Sequence, residues 1–348
     1  MVQPIHSHTF DGVGDLDPTA SSPPTSRPQP AIRDASQIPD VSHLTRPSSG
    51  LPSPVAGAAP TGLSPAAALA IQSRLDAFRA TATPIYHTPE GDAKVAAPFR
   101  LEGGYPAHEA AVVQSTQATL RAVAKSIGMS DGEVAVIKAG RATPAQVQRL
   151  TQGLLDAGRL PPPTGNLTLE GRVRQMMFDH GIGLDCAGYA RQAFIAAHPG
   201  ASGVHWRAPV NENLSGLAAR GLVHLSMSDA QTGDLVVLKA SKAEAYGHTL
   251  IVYDAHPATP ADIHLLRPIA TDPLVAVIAR SPLLRVLVVD ASWGCQGEAA
   301  RGGVQQRTWF EDPVSGQWLS LEPGKEYSVG SLPYAHPVDG VYRAPGGS

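Results

Sequence analysis

The sequence predicts an α+β fold in which one helix packs on an antiparallel sheet. Three observations predict it. A helix begins at Asp185-Cys186, with Cys186, Tyr189, Ala190, Ala193, Phe194 and Ala197 at helical spacing. A run of apolar, alternating or β-branched segments follows it: Leu235–Leu238, His248–Tyr253, Leu274–Ile278, Arg285–Val289, Val304–Phe310, Trp318–Leu321 and a last one near Val341. Helices therefore precede neighbouring strands instead of alternating with them, which argues against a doubly wound sheet.

Three regions divide the chain of 348 residues. Residues 1–62 form a low-complexity leader; the first 60 contain eleven prolines and no lysine, with Phe10 as their only aromatic residue. Such a composition cannot bury enough apolar surface to offset its conformational entropy, so the leader is expected to be disordered. Residues 63–160 read as a helical region. Ser64-Pro65 opens Ala66–Ala80, His108–Ile127 stops at Gly128, Ser130–Lys138 stops near Gly140, and Thr143-Pro144 opens Ala145–Ala157. Between the first two helices, Tyr86–Tyr105 reads as irregular, with Pro84, Pro89, Pro98 and Pro106 as breakers. Pro161-Pro162-Pro163 is a stiff spacer, and residues 165–345 form the third region. It opens with a short helix over Leu169–Asp179, and His198-Pro199-Gly200 stops the Cys186 helix.

Composition excludes several classes. A net charge of −3 gives no electrostatic case for nucleic acid or an anionic membrane. No apolar run is long enough to span a bilayer. Two cysteines, Cys186 and Cys295, make no disulfide framework. Neither a CxxC nor an HExxH spacing occurs, so no metal is expected, and the lack of a phosphate-binding glycine loop leaves no cofactor implied. The N-terminus lacks the basic and apolar parts of a Sec signal peptide, so export, if it occurs, is expected by a non-Sec route; otherwise the chain is cytoplasmic.

The candidate chemistry centres on Cys186. Asp185 is a good N-cap, which puts Cys186 in the first helical turn, where the macrodipole favours a thiolate. Two readings stand side by side: a catalytic nucleophile, or a small inert buried cysteine. A nucleophile needs a base, and the base needs an orienting partner. Of thirteen histidines, His248 alone opens a strong strand. Side chains two apart on a strand share a face, so His248, Leu250 and Val252 point together, and this face is expected to pack on the Cys186 helix. The same rule groups Val286, Val288 and Asp290, which makes Asp290 the candidate orienting carboxylate and Ser292 the reserve. Asp234 reads as a turn carboxylate, and Cys295 as non-catalytic.

Asp185-Cys186-Ala187-Gly188-Tyr189, Gly233-Asp234-Leu235-Val236 and Gly247-His248-Thr249-Leu250-Ile251-Val252-Tyr253 occur in that order. The set resembles the NlpC/P60 superfamily of papain-like cysteine hydrolases over about residues 165–345. The resemblance implies a papain-like domain with Cys186 as nucleophile, His248 as base and Asp290 as the orienting residue. The backbone amide of Cys186 would serve as an oxyanion donor. It implies a peptidoglycan amidase or endopeptidase, and the leader without a signal peptide adds the expectation of a secreted effector. A host-directed protease, deamidase or acyltransferase, or an inactive papain-like binding module, are the alternatives. The partners implied are a peptide or peptidoglycan-stem substrate, secretion machinery and an immunity protein. This sequence departs from the family at Ala187, at Asp290, and in the approach loop Phe178–Gly183, which lacks the usual aromatic signature.

Overall fold

The computed structural model describes residues 63–100, 107–165, 167–200, 222–238, 247–271, 273–293, 302–313, 317–321, 328–330 and 338–344. The leader and Cys295 lie outside the described residues. The described residues all belong to one compact unit.

Six helices come first: α1 (Pro65–Thr81), α2 (Ala107–Ser126), α3 (Asp131–Lys138), α4 (Pro144–Asp156), α5 (Leu169–Asp179) and α6 (Cys186–Ala197). Their starts follow from the sequence. Ser130 and Thr143 each form a reciprocal capping box, with Glu133 and Gln146, which satisfies backbone donors left open at a helix start. Thr168 and Asp185 cap α5 and α6 with side-chain oxygens.

Between α1 and α2 the structure forms a hairpin, β1 (Ile85–Thr88) and β2 (Gly91–Lys94), where the sequence suggested an irregular segment. Tyr86 and Ala93 pair across it and are both fully buried, while Thr88 Oγ1 donates to the Gly91 carbonyl to close the turn. Pro89 therefore sits in the turn and removes no ladder donor, which is why it breaks neither strand.

The remaining strands are β3 (Val223–Leu225), β4 (Leu235–Leu238), β5 (His248–Pro257), β6 (Arg285–Trp293), β7 (Gly303–Asp312), β8 (Gln317–Leu321), β9 (Ser328–Gly330) and β10 (Val338–Arg343). They form one antiparallel sheet in the order β3-β10-β4-β5-β6-β7-β8-β9. The protein is thus a mixed α+β structure with helices on an antiparallel sheet. Two short helices lie between β5 and β6: α7 (Pro260–Leu266) and α8 (Pro273–Ile278). The second replaces the strand expected over Leu274–Ile278. Val275 and Ile278, three residues apart, both enter one core, a spacing that a helix satisfies and a strand does not.

Alternation along the strands separates two faces. On one face Leu235, Val237, Ile251 and Val304 join a core built from α1, the hairpin and α2 to α6. The helical region and the sheet thus share one hydrophobic core. Further along the same face, α7 and α8 cover Val286, Phe310 and Leu319. The opposite face carries Val236, Leu250, Val252, Val289 and Ala291 with Trp293, Trp309 and Trp318. These tryptophans meet edge to face, with ring centroids 6.4 Å and 5.9 Å apart, a favoured aromatic geometry.

Candidate active site

Cys186 occupies the first position of α6, as its sequence context predicts. The loop leading to it is strapped from two sides. Leu184 exchanges backbone hydrogen bonds with the 98–100 segment, accepting from Arg100 and donating to Pro98, both at 3.0 Å. The Asp185 amide donates to the Gly140 carbonyl at 2.9 Å, just before α4. Asp185 also accepts from the Gly188 amide and pairs with Arg141 Nε at 2.7 Å. Ser292 Oγ, the reserve candidate, donates to the Leu184 carbonyl at 2.6 Å. It is a fastening of the loop and not a partner of the thiol.

The thiol is buried, and burial pushes its pKa up to about 12, with the neighbouring Asp185 charge adding to the shift. The backbone of Thr249, Arg141 and the backbone of Ala187 act in the other direction, in that order of size, without offsetting it. Burial and the Asp185 charge thus act against the stabilisation that a helix start offers a thiolate.

His248 opens β5, and the backbone of its strand neighbour Thr249 lies against the Cys186 sulfur. Its ring lies beside Trp293, with centroids 4.6 Å apart, and the Arg307 guanidinium lies over the Trp293 ring, 3.8 Å from its centroid. Its register partner on β4, Leu238, belongs to the same tryptophan-rich face. The expectation that Leu250 and Val252 pack on the Cys186 helix is corrected: both fill the core made by the tryptophans, while Ile251 turns toward α6.

Asp290 does face α6. It is 2 % exposed, and its Oδ2 accepts from the Tyr189 hydroxyl at 2.7 Å. Burial raises its pKa to about 6, against the lowering effect of the Tyr189 hydrogen bond and of Arg79. The Tyr189 hydrogen bond joins Asp290 to the helix that carries Cys186.

Other histidines are engaged elsewhere. His180 donates from Nδ1 to the Met176 carbonyl at 2.9 Å, and His198 from Nε2 to the Gly233 carbonyl at 2.9 Å, beyond the far end of α6. His256 bridges Asp254 and Asp262. Asp234 caps its turn through the Gln231 amide and pairs with Arg343 at 2.7 Å, consistent with its reading as a turn carboxylate. Among the described residues no cluster of histidine, cysteine and carboxylates has the form of a metal site, and no helix is long and apolar enough to cross a membrane.

Sequence reasoning missed Tyr189 as the partner of Asp290, although it lies one helical turn after Cys186 in the motif itself. It also missed Arg141, which reaches Asp185 from a distant segment and leaves no local signal. No family model, curated protein or solved structure matches this chain.

Proposed function

We propose that this chain uses a papain-like scaffold as a non-catalytic binding module. The observation that carries the reading is that Asp290 takes its side-chain hydrogen bond from Tyr189, where a catalytic arrangement would need an imidazole. The elevated thiol pKa agrees, since the thiolate is scarce at neutral pH. The papain-like part of the reading rests on the cysteine-bearing helix packed on an antiparallel sheet and on the order of the three motifs.

The test is alkylation of the full chain by iodoacetamide across pH, together with hydrolysis of peptides and purified sacculi by wild type and Cys186→Ala. A thiol that reacts only above about pH 8.5, the range of an unactivated cysteine, with equal hydrolysis by both proteins, is the expected outcome. A Cys186-dependent rate would overturn the reading.

One observation favours a second reading, a cysteine hydrolase acting on amide bonds in peptidoglycan stems or host proteins. Cys186 begins a capped helix, with the backbone of Thr249 and of Ala187 against its sulfur, a suitable seat for a nucleophile.

A further inference from the structure

The outer edge of the β1–β2 hairpin faces α4. The Val95 amide donates to the Pro84 carbonyl at 3.1 Å, which sets the phase of this antiparallel ladder. Bonded and non-bonded pairs alternate, so the backbone N–H and C=O groups of Ile85 and His87 point away from β2. Gln152 of α4 meets them at His87. Its Oε1 accepts from the His87 amide at 3.1 Å, and its Nε2 donates to the His87 carbonyl at 2.9 Å. One carboxamide thus makes the pair of bonds that a neighbouring strand would make. No side chain does the same for Ile85 among the described residues, and Ile85 is 52 % exposed.

A cavity of 420 Å³ lies along this edge, with Ile85 and His87 on one side and a stripe of α4 from Ala145 to Asp156 on the other. The stripe follows one helix face and runs about 16 Å at 1.5 Å per residue. That is the length of an extended segment of about five residues. Two charges of opposite sign stand along it. Arg149 gives one of its five N–H groups to the Ile127 carbonyl. Asp156 holds Gln152 Nε2 with one oxygen, at 2.8 Å. The His87 ring is tied to Asp92, and Ile85 and Ile127 add apolar surface.

We propose that the groove between β1 and α4 binds an extended peptide segment of a partner protein, which adds to the hairpin as a third strand. The edge supplies main-chain hydrogen bonds at Ile85 and, once Gln152 swings aside, at His87. Gln152 is the stand-in for that strand. It occupies an edge that would otherwise invite indiscriminate pairing, and the peptide replaces its bonds in kind. Charge selects the segment: an acidic residue for Arg149, aliphatic residues for Ile85 and Ile127, and a basic residue for Asp156. Arg149 and Asp156 lie about 10 Å apart along the helix, the span of about three steps of a strand. The groove takes nothing from the Cys186 site, so the inference goes beyond the non-catalytic reading and stands apart from it.

The experiment is fluorescence polarisation of the full chain with two dye-labelled peptides, blocked at both ends, of the order Glu-Val-Val-Lys and Lys-Val-Val-Glu. One order should bind saturably and about tenfold more tightly than the other, because only one direction of the added strand matches both charges. N-methylation of the two valine amides of that peptide, one at a time, should weaken binding about tenfold at one position and little at the next, since alternate N–H groups face β1. These arms leave the protein unaltered, so they decide the matter even where a variant folds poorly. Arg149→Ala should weaken the acidic peptide and not its glutamine counterpart. Gln152→Ala, which removes the stand-in, should tighten binding. No saturation with either order, equal affinity for both, or indifference to methylation at both positions would each overturn the proposal. Self-association of the chain that the peptide competes away would overturn it too, by making a second copy the occupant. Alkylation of Cys186 decides the non-catalytic reading separately.

Discussion

The Tyr189 hydroxyl donates to Asp290 Oδ2 at 2.7 Å, joining α6 to β6 inside the protein, and it supplies the one side-chain hydrogen bond among the described residues to a carboxylate that is 2 % exposed. This bond replaces the imidazole that the motif order would have assigned to Asp290. It makes the carboxylate part of the helix-to-sheet interface.

Tyr189→Phe removes that donor and keeps the ring, including its contact with Phe78 at 5.3 Å between centroids. The expected cost is about 1–3 kcal/mol, the penalty for a buried group left unsatisfied. It should be larger at pH 7.5 than at pH 5, because only the ionised carboxylate requires the donor strongly. Urea unfolding of Tyr189→Phe, Asp290→Asn and the double variant measures the coupling. Additive costs would mean that the bond contributes nothing in solution.

Asp290 also sets a pH dependence. Its pKa moves from an ordinary 3.8 to about 6 on folding, chiefly through burial, so between those values the folded state binds more protons than the unfolded one. Stability attributable to this group is therefore highest below about pH 4, falls as pH rises through the window, and is constant above about pH 6. The size is about 3 kcal/mol at roughly 1.4 kcal/mol per pKa unit. Asp290→Asn abolishes the titration and can keep an acceptor for Tyr189. Its stability relative to wild type should rise between pH 4 and pH 7, and a difference that stays flat across that range would contradict the assigned shift.

His248 should be separable from the thiol. His248→Ala removes its contact with Trp293, worth about 0.5–1.5 kcal/mol, and should change tryptophan fluorescence through the Trp293–Trp309 pair. The pH profile of Cys186 alkylation should not move. A profile shifted by this substitution would show that the imidazole reaches the sulfur in solution.

How far the chain could be read from its residues follows from these same positions. The helix starts were legible because their signals are local: Ser130 with Glu133 and Thr143 with Gln146 lie three residues apart, and Asp185 stands next to the helix it caps. Parity within each strand was legible too, since His248 does align with Leu250 and Asp290 with Val288. Which face each strand turns to α6 was not. Both faces of β5 are apolar, with Leu250 and Val252 on one and Ile251 on the other, so the choice depends on what lies opposite. Trp293, Trp309 and Trp318 decide it, and they come from strands that pair only in the folded sheet.

The approach of α3 and α4 to the cysteine loop gives the last prediction. Gly188 lies in the first turn of α6, and a Cβ there would collide with the backbone carbonyl of Gly140 and approach Asp185 Oδ1 to 2.9 Å. In an open helix Gly→Ala is favourable by up to about 1 kcal/mol. Gly132, in the first turn of α3, is such a position: the nearest atom to an added Cβ is Ser130 Oγ at 3.9 Å. Gly132→Ala should therefore be neutral to stabilising by up to about 1 kcal/mol. Gly188→Ala should destabilise by about 2 kcal/mol or more, since the carbonyl it meets belongs to backbone that also receives the Asp185 amide. Displacing that backbone should also loosen the cap and expose the thiol, so alkylation of Cys186 should quicken in Gly188→Ala and not in Gly132→Ala. Thermal unfolding of the two variants together with timed alkylation checks both parts. Equal behaviour of the two would mean that the packing of Gly140 against α6 does not hold the cysteine in place.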